Sequence, residues 1–238
     1  MFKHPKIQLL KKPFFLVTLP RFATILFIVL QILGMSSYPG GTMHDETTIG
    51  YSFTQNFFSD MGVYEARNGE PNYLSMIIFA FSLALVGITF AIYYIGMPQV
   101  FGKDRLNYGL SIIGSIFAIG GSICLVGTGL TPSDLALDPH IFFSNNIFHC
   151  FLITALMYTI VIFRSDMIKK RYAIGYGMFF VSIFAYVGVL TYAASPHESQ
   201  SALVFQVISQ KMIVGIFCWS IFYQTFGFAQ LNFLKKVK

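Results

Sequence analysis

Only 11% of this 238-residue chain is charged, while 55% is hydrophobic and 17% aromatic. A soluble domain carries about 25% charge, so the composition excludes one and describes an all-α, multi-pass membrane protein forming a single integral domain, 1-238. The net charge of +6 reflects membrane topology rather than a nucleic-acid partner.

The first 22 residues hold Lys3, Lys6, Lys11, Lys12 and Arg21 and no acid. An apolar run follows and predicts a first span over about 17–37. A positive head before an apolar core also describes a signal peptide. No A-x-A cleavage site follows, and an uncleaved helix is the reading kept.

Residues 38–72 form the longest loop, punctuated by Pro39, Gly40, Gly41, Asn68, Gly69 and Pro71. The loop is acidic, with Asp45, Glu46, Asp60, Glu65 and Glu70 against Arg67. Its aromatic and partly apolar centre, 49–61, could lie in the interface as a short helix or dip slightly into the membrane. Five further apolar spans are predicted at about 73–97, 107–130, 142–164, 172–194 and 202–230. Each is long enough to cross ~30 Å of hydrocarbon at ~1.5 Å per residue. The third is rich in small residues, among them Gly114, Ala118 and Ser122 at small-xxx-small spacing, which predicts a helix at the centre of the bundle.

Fourteen of the 16 basic residues fall on the side of the N-terminus when six spans are counted. The exceptions are Arg67 in the long loop and Lys211 within the last span. The positive-inside rule then places both termini in the cytoplasm, residues 38–72 outside, and the chain in a plasma (inner) membrane. Cys124, Cys150 and Cys218 all lie in apolar segments without CxxC spacing and read as packing residues.

Polar residues that could carry chemistry collect toward the outer side. Ser59 and Asp60, in Asn56-Phe57-Phe58-Ser59-Asp60-Met61-Gly62, suit either a helix cap or a buried carboxylate paired with a cation. Asp134 and Asp138, with Pro132 and Pro139, read as a solvated turn, and His140 lies nearer the fourth span. On that span Asn145 and His149 share a face at i and i+4, and need partners in a membrane. Gln206 and Gln210 share a face of the last span beside Lys211. A lysine this deep must face protein or water and find partners. It could lock the outer loop to the bundle by pairing with Asp60, or bind a lipid head. No HExxH, GxSxG, Walker or GxGxxG motif is present.

The motif Asn56 to Gly62, followed by Asn72-Tyr73-Leu74-Ser75 and the span Ile77 to Gly87, resembles an N-x-[LF]-S-D-[LM]-G pattern leading into a helix. The stretch Val126 to Pro132, with His149 beyond it, resembles a second signature. Together they are similar to the uncharacterised DUF-type six-helix membrane proteins of bacteria and archaea, and more distantly to the Frag/DRAM/Sfk group. The resemblance implies six helices with both ends cytoplasmic and importance for Ser59, Asp60, Gly62 and His149. The Frag-type relatives are linked to lipid-anchor remodelling and membrane lipid handling, although this chain lacks their Pro-Tyr before the I-S-D motif. A weaker similarity leads to the alkaline ceramidase and progestin-receptor superfamily, which uses Ser, Asp and three His around zinc.

Three function classes follow. The first expectation is a lipid-binding or lipid-sensing bundle, with membrane lipids as partners and no cofactor. Its polar pocket would be built from Ser59, Asp60, Asn145, His149, Gln206, Gln210 and Lys211. The second is a metal-dependent lipid amide or ester hydrolase, with zinc on Asp60, His140, His149 and His197. The third is a small-solute transporter.

Overall fold

A computed structural model describes Leu10 and residues 12–231. Among the described residues, six helices are long and apolar enough to cross a membrane. These are α1 (Leu19–Ser37), α2 (Tyr73–Gly96), α3 (Arg105–Leu130), α4 (Leu137–Arg164), α5 (Ala173–Tyr192) and α6 (Gln200–Phe228). A π-helical turn, Phe14–Thr18, extends α1 at its N-terminus. Helices satisfy their backbone groups internally, which hydrocarbon requires of any spanning segment.

Boundaries agree with the apolar runs to within a few residues except at α4, which begins five residues earlier than predicted. Pro139 sits in the first turn of α4. Its missing N–H would have had no intrahelical partner there, so the proline starts the helix instead of ending a loop. Ser199 caps α6, its side chain accepting from the amide of Ala202.

Each helix packs on its sequence neighbour, and α6 closes on α1. The six thus form a ring. The small residues of α3 lie in its two seams, not at a bundle centre: a Cβ on Gly121 would strike Phe151 of α4, and one on Gly129 would press on Ala80 of α2. The central position predicted for the third span is therefore corrected. Small residues let the backbones approach closely where lipid supplies no hydrophobic drive, and a ring member needs that on both flanks.

The two halves of the ring are filled differently. Toward the basic end, Tyr93, Tyr94, Tyr158 and Tyr176 are fully buried. The hydroxyls of Tyr94 and Tyr176 lie 3.0 Å apart, and Tyr158 meets Ser115 at 2.7 Å. Toward the other end the ring is hollow, and residues 38–72 fold over it as a lid.

The lid is built from tight turns. Gly41 donates to Thr48 and Gly50 to Pro39, while Ala66 donates to Glu70. Gly41 has φ +81, and a Cβ there would lie 2.4 Å from the backbone of Asn68, so glycine is required on both counts. The segment Asn56 to Gly62 dips into the bundle, ending in the 3-10 turn Phe58–Gly62. Gly62 packs so closely on the Phe79 ring that a Cβ would sit 2.5 Å from it. Asn72, at the head of α2, donates its side-chain amide to the carbonyls of Met61 and Val63.

Candidate ligand-binding site

A cavity of about 340 Å³ occupies the hollow half of the ring, with all six helices and the lid in its wall. Along α4 the lining runs from Leu137 to Phe151, about 21 Å at ~1.5 Å per residue. The floor is aromatic. Phe217 lies at its hub, with ring centroids of Phe90, Phe151 and Phe179 5.0–5.2 Å away. Above the floor the wall is aliphatic, with Leu83, Val86, Leu125 and Ile183.

The lid end of the cavity is polar. Ser59, Asp60 and Arg67 come from the lid, His140, Ser144 and Asn145 from α4, and Gln206 and Gln210 from α6, with His197 beside them. The site is therefore amphipathic along its length, with charge at one end and aromatic rings at the other.

Asp60 is the best-organised polar group in it. Its Oδ2 accepts from the amide of Phe57 and the side chain of Asn56, and its Oδ1 pairs with Arg67 at 3.3 Å. The capping and ion-pair readings of this carboxylate are thus both realised in one residue. The side chain of Asp60 is 6% exposed and that of Arg67 36%, so the guanidinium is the member of the pair that a ligand can reach.

Lys211 does not pair with Asp60. Its ammonium donates to the main-chain carbonyl of Asn56. The rings of Tyr51, Phe53 and Phe58 surround it at 4.9–5.2 Å, a cation–π arrangement that suits a partly desolvated ammonium. Lys211 is buried but lies outside the cavity wall. Its neighbour Gln210 accepts from the amide of Phe58. Two consecutive residues of α6 therefore pin the lid. Two more ties come from the adjoining loops. Asp134 accepts from the amides of Tyr64 and Glu65, and His44 meets the carbonyl of Pro196 at 2.8 Å. Burial raises the phenol pKa of Tyr38 to about 12 and that of Tyr51 well above its ordinary value. Both therefore stay neutral hydrogen-bonding groups within the lid.

The residues singled out from sequence divide clearly. Ser59, Asp60, Asn145, Gln206 and Gln210 come together in the cavity wall, and so do His140 and His197. His149 does not. It is exposed on the outer face of α4, with its Nδ1 against the carbonyl of Asn145. Nδ1 of His140 is likewise engaged, by the carbonyl of Thr131. Among the described residues no three His, Cys, Asp or Glu side chains are spaced to hold a metal ion, so the donor set does not fit zinc on Asp60, His140, His149 and His197.

Arg67 and Gln31 are polar wall residues outside the candidate set drawn from sequence. Arg67 stands out in the sequence as a basic residue in an acidic loop and as an exception to the charge bias, and that exception is its signal. Gln31 lies in the first apolar span, 4% exposed. Its amide donates to Ser82 at 2.6 Å, while its Oε1 has no partner. A lone glutamine in an apolar run was the available sign.

The model of a family described as a protein of unknown function, DUF998, matches residues 32–220. The chain belongs to the DUF998 family. The match takes in the lid, both halves of the Asp60–Arg67 pair and the wall residues from α2 to α6, while Thr24, Phe27 and Gln31 precede it. No curated protein and no solved structure matches the chain.

Proposed function

We propose that this DUF998 protein binds a single-tailed amphiphile, a membrane lipid or lipid-derived molecule, in the cavity under the lid. The observation that carries the reading is the lengthwise polarity of one cavity enclosed by all six helices. An aromatic floor and aliphatic wall suit a hydrocarbon tail. The cluster of Asp60, Arg67, His140, Asn145 and Gln210 suits a polar head. Ligand sites are typically apolar clefts of ~300–1,000 Å³ with a few placed polar groups. This cavity is at the small end of that range, which favours one tail over two. The charge bias sets the lid on the non-cytoplasmic side, so the ligand enters from the outer leaflet.

The test is direct binding. The protein is taken into a fluorinated detergent, which does not compete for hydrocarbon sites, and titrated with dodecyl glyceryl ether under native mass spectrometry. One ether per chain is expected. Val86→Trp and Ile183→Trp, which fill the shaft from opposite sides, are each expected to weaken binding at least about tenfold, since every ~1.4 kcal/mol of lost affinity is a factor of ten. Binding unchanged in both variants would place the ether on the lipid-facing surface and overturn the reading.

A further inference from the structure

We infer that the ligand's head is anionic, a phosphate or carboxylate, and that Arg67 is the residue that binds it. This rests on the amphiphile reading above and adds the chemical class of the head.

The charge arrangement leads there. Asp60 is the carboxylate of the cavity wall, and Arg67 is the cation beside it. Lys211 stands behind the lid, within contact of Asn56 and Phe58, four and two residues before Asp60. Arg67 pairs with the carboxylate while Lys211 is held by a main-chain carbonyl, so positive charge exceeds negative at the edge of a low-dielectric region, where an uncompensated charge is costly. The oxygens of Asp60 are already committed to Arg67, Asn56 and Phe57. An incoming group that balances the site is negative.

The geometry of Arg67 agrees. A guanidinium presents five donors in a planar fork that matches phosphate and carboxylate bidentately. Here a single amino nitrogen meets Asp60, at 3.3 Å and through one oxygen only. The remaining edge of the fork is uncommitted among the described residues, and the side chain is in the cavity wall. Asp60 holds the arginine in place without saturating it. Ser59, Asn145, Gln206 and Gln210 stand in the same end of the cavity and can complete the solvation of an anion.

The experiment compares probes of equal tail. Dodecyl phosphate, laurate and the neutral dodecyl glyceryl ether are titrated into the wild type, Arg67→Gln and Arg67→Lys, with thermal unfolding recorded for each protein. The wild type is expected to prefer the acidic probes over the ether by about 10- to 100-fold. Arg67→Gln is expected to erase that preference, the acidic probes losing more affinity than the ether. Arg67→Lys, which keeps the charge but not the fork, is expected to retain part of it, and it serves as the reporter if the glutamine variant does not fold. Inorganic phosphate separates the two sources of such a head. Failure to displace dodecyl phosphate at equal concentration assigns an acidic lipid, and displacement at equal concentration assigns a free anion. Ether binding that responds to Val86→Trp, with no acidic preference in the wild type, overturns this inference and leaves the amphiphile reading standing. No binding of any probe overturns both.

Discussion

Lys211 reaches up from α6 to the carbonyl of Asn56, while Asp60, four residues further on, is paired with Arg67. The lysine closest to the buried carboxylate is therefore a latch on the lid's backbone, and the lid's own arginine is the counter-charge. This separation decides which residue holds the lid and which one meets a ligand.

Replacing Lys211 by Met tests the latch. The substitution keeps the stem and removes the charge-assisted bond to Asn56 and the contacts with Tyr51, Phe53 and Phe58. The carbonyl of Asn56 keeps the hydroxyl of Tyr51 as a second donor, and a buried ammonium no longer has to be desolvated. The balance is a loosening of the lid by about 1–2 kcal/mol. Hydrogen exchange is expected to quicken by roughly tenfold at the amides of residues 51–60 and to stay unchanged in α2 to α5. Equal acceleration in every helix would show that Lys211 holds the bundle rather than the lid.

Gly62→Ala tests how tightly the lid is seated. The new methyl would lie 2.5 Å from the ring of Phe79, a clash with a fully packed side chain rather than a flexible tip. Overpacking of this kind costs about 1–3 kcal/mol. A lower unfolding temperature is expected, with recovery when Phe79→Leu is added. A double variant no better than the single one would place the strain in the backbone of the 3-10 turn.

The six spans were legible because hydrocarbon admits few solutions: an apolar run of this length must be a helix. The polar end of the cavity was partly legible for a related reason. Asp60, Asn145 and Gln210 are anomalies in apolar surroundings, and such residues need partners wherever they fold. Direction was not legible. Asn145 and His149 share one helical stripe in an ideal helix, yet Asn145 lines the cavity and His149 faces outward. Which way a stripe faces depends on the ring closing through α6 and α1, and that is a contact between the two ends of the chain. The same closure moved the glycine-rich third span from an expected centre to a seam. Arg67 escaped because its value lies in its distance from Asp60, and a seven-residue separation in an irregular lid gives no periodicity to read.

Tyr38 gives the lid an alkaline limit. Its pKa is raised to about 12, first by burial, while its hydroxyl oxygen accepts from the amide of Arg67. A phenol whose folded pKa lies above its unfolded value of about 10 contributes stability that is complete below that unfolded value. The contribution is lost as pH rises from about 10 to about 12. Exchange protection at Arg67 is therefore expected to hold to pH 10 and fall above it, and Tyr38→Phe is expected to remove that step. A step that persists in the phenylalanine variant would assign the titration to another group.

Gln31→Leu separates structure from ligand at a wall residue whose acceptor is buried and unspent. In the wild type, Oε1 of Gln31 is buried without a partner, and such a group costs about 1–3 kcal/mol in lost hydration. Leucine removes the group and nearly preserves the volume. Ser82 loses the donor it receives from Gln31 but keeps its own bond to the carbonyl of Phe79. The ligand-free variant is therefore expected to unfold at the same temperature as the wild type or about 2–4 °C above it. A ligand that offers a hydroxyl or amide hydrogen at this depth is expected to bind the variant more weakly, while a plain alkyl tail binds it equally well or better. Thermal unfolding of both proteins, with and without dodecyl glyceryl ether, reads both effects. A fall of several degrees in the ligand-free variant would mean that the Gln31–Ser82 bond outweighs the orphaned oxygen, making the glutamine a clamp between α1 and α2 rather than an acceptor held for a ligand.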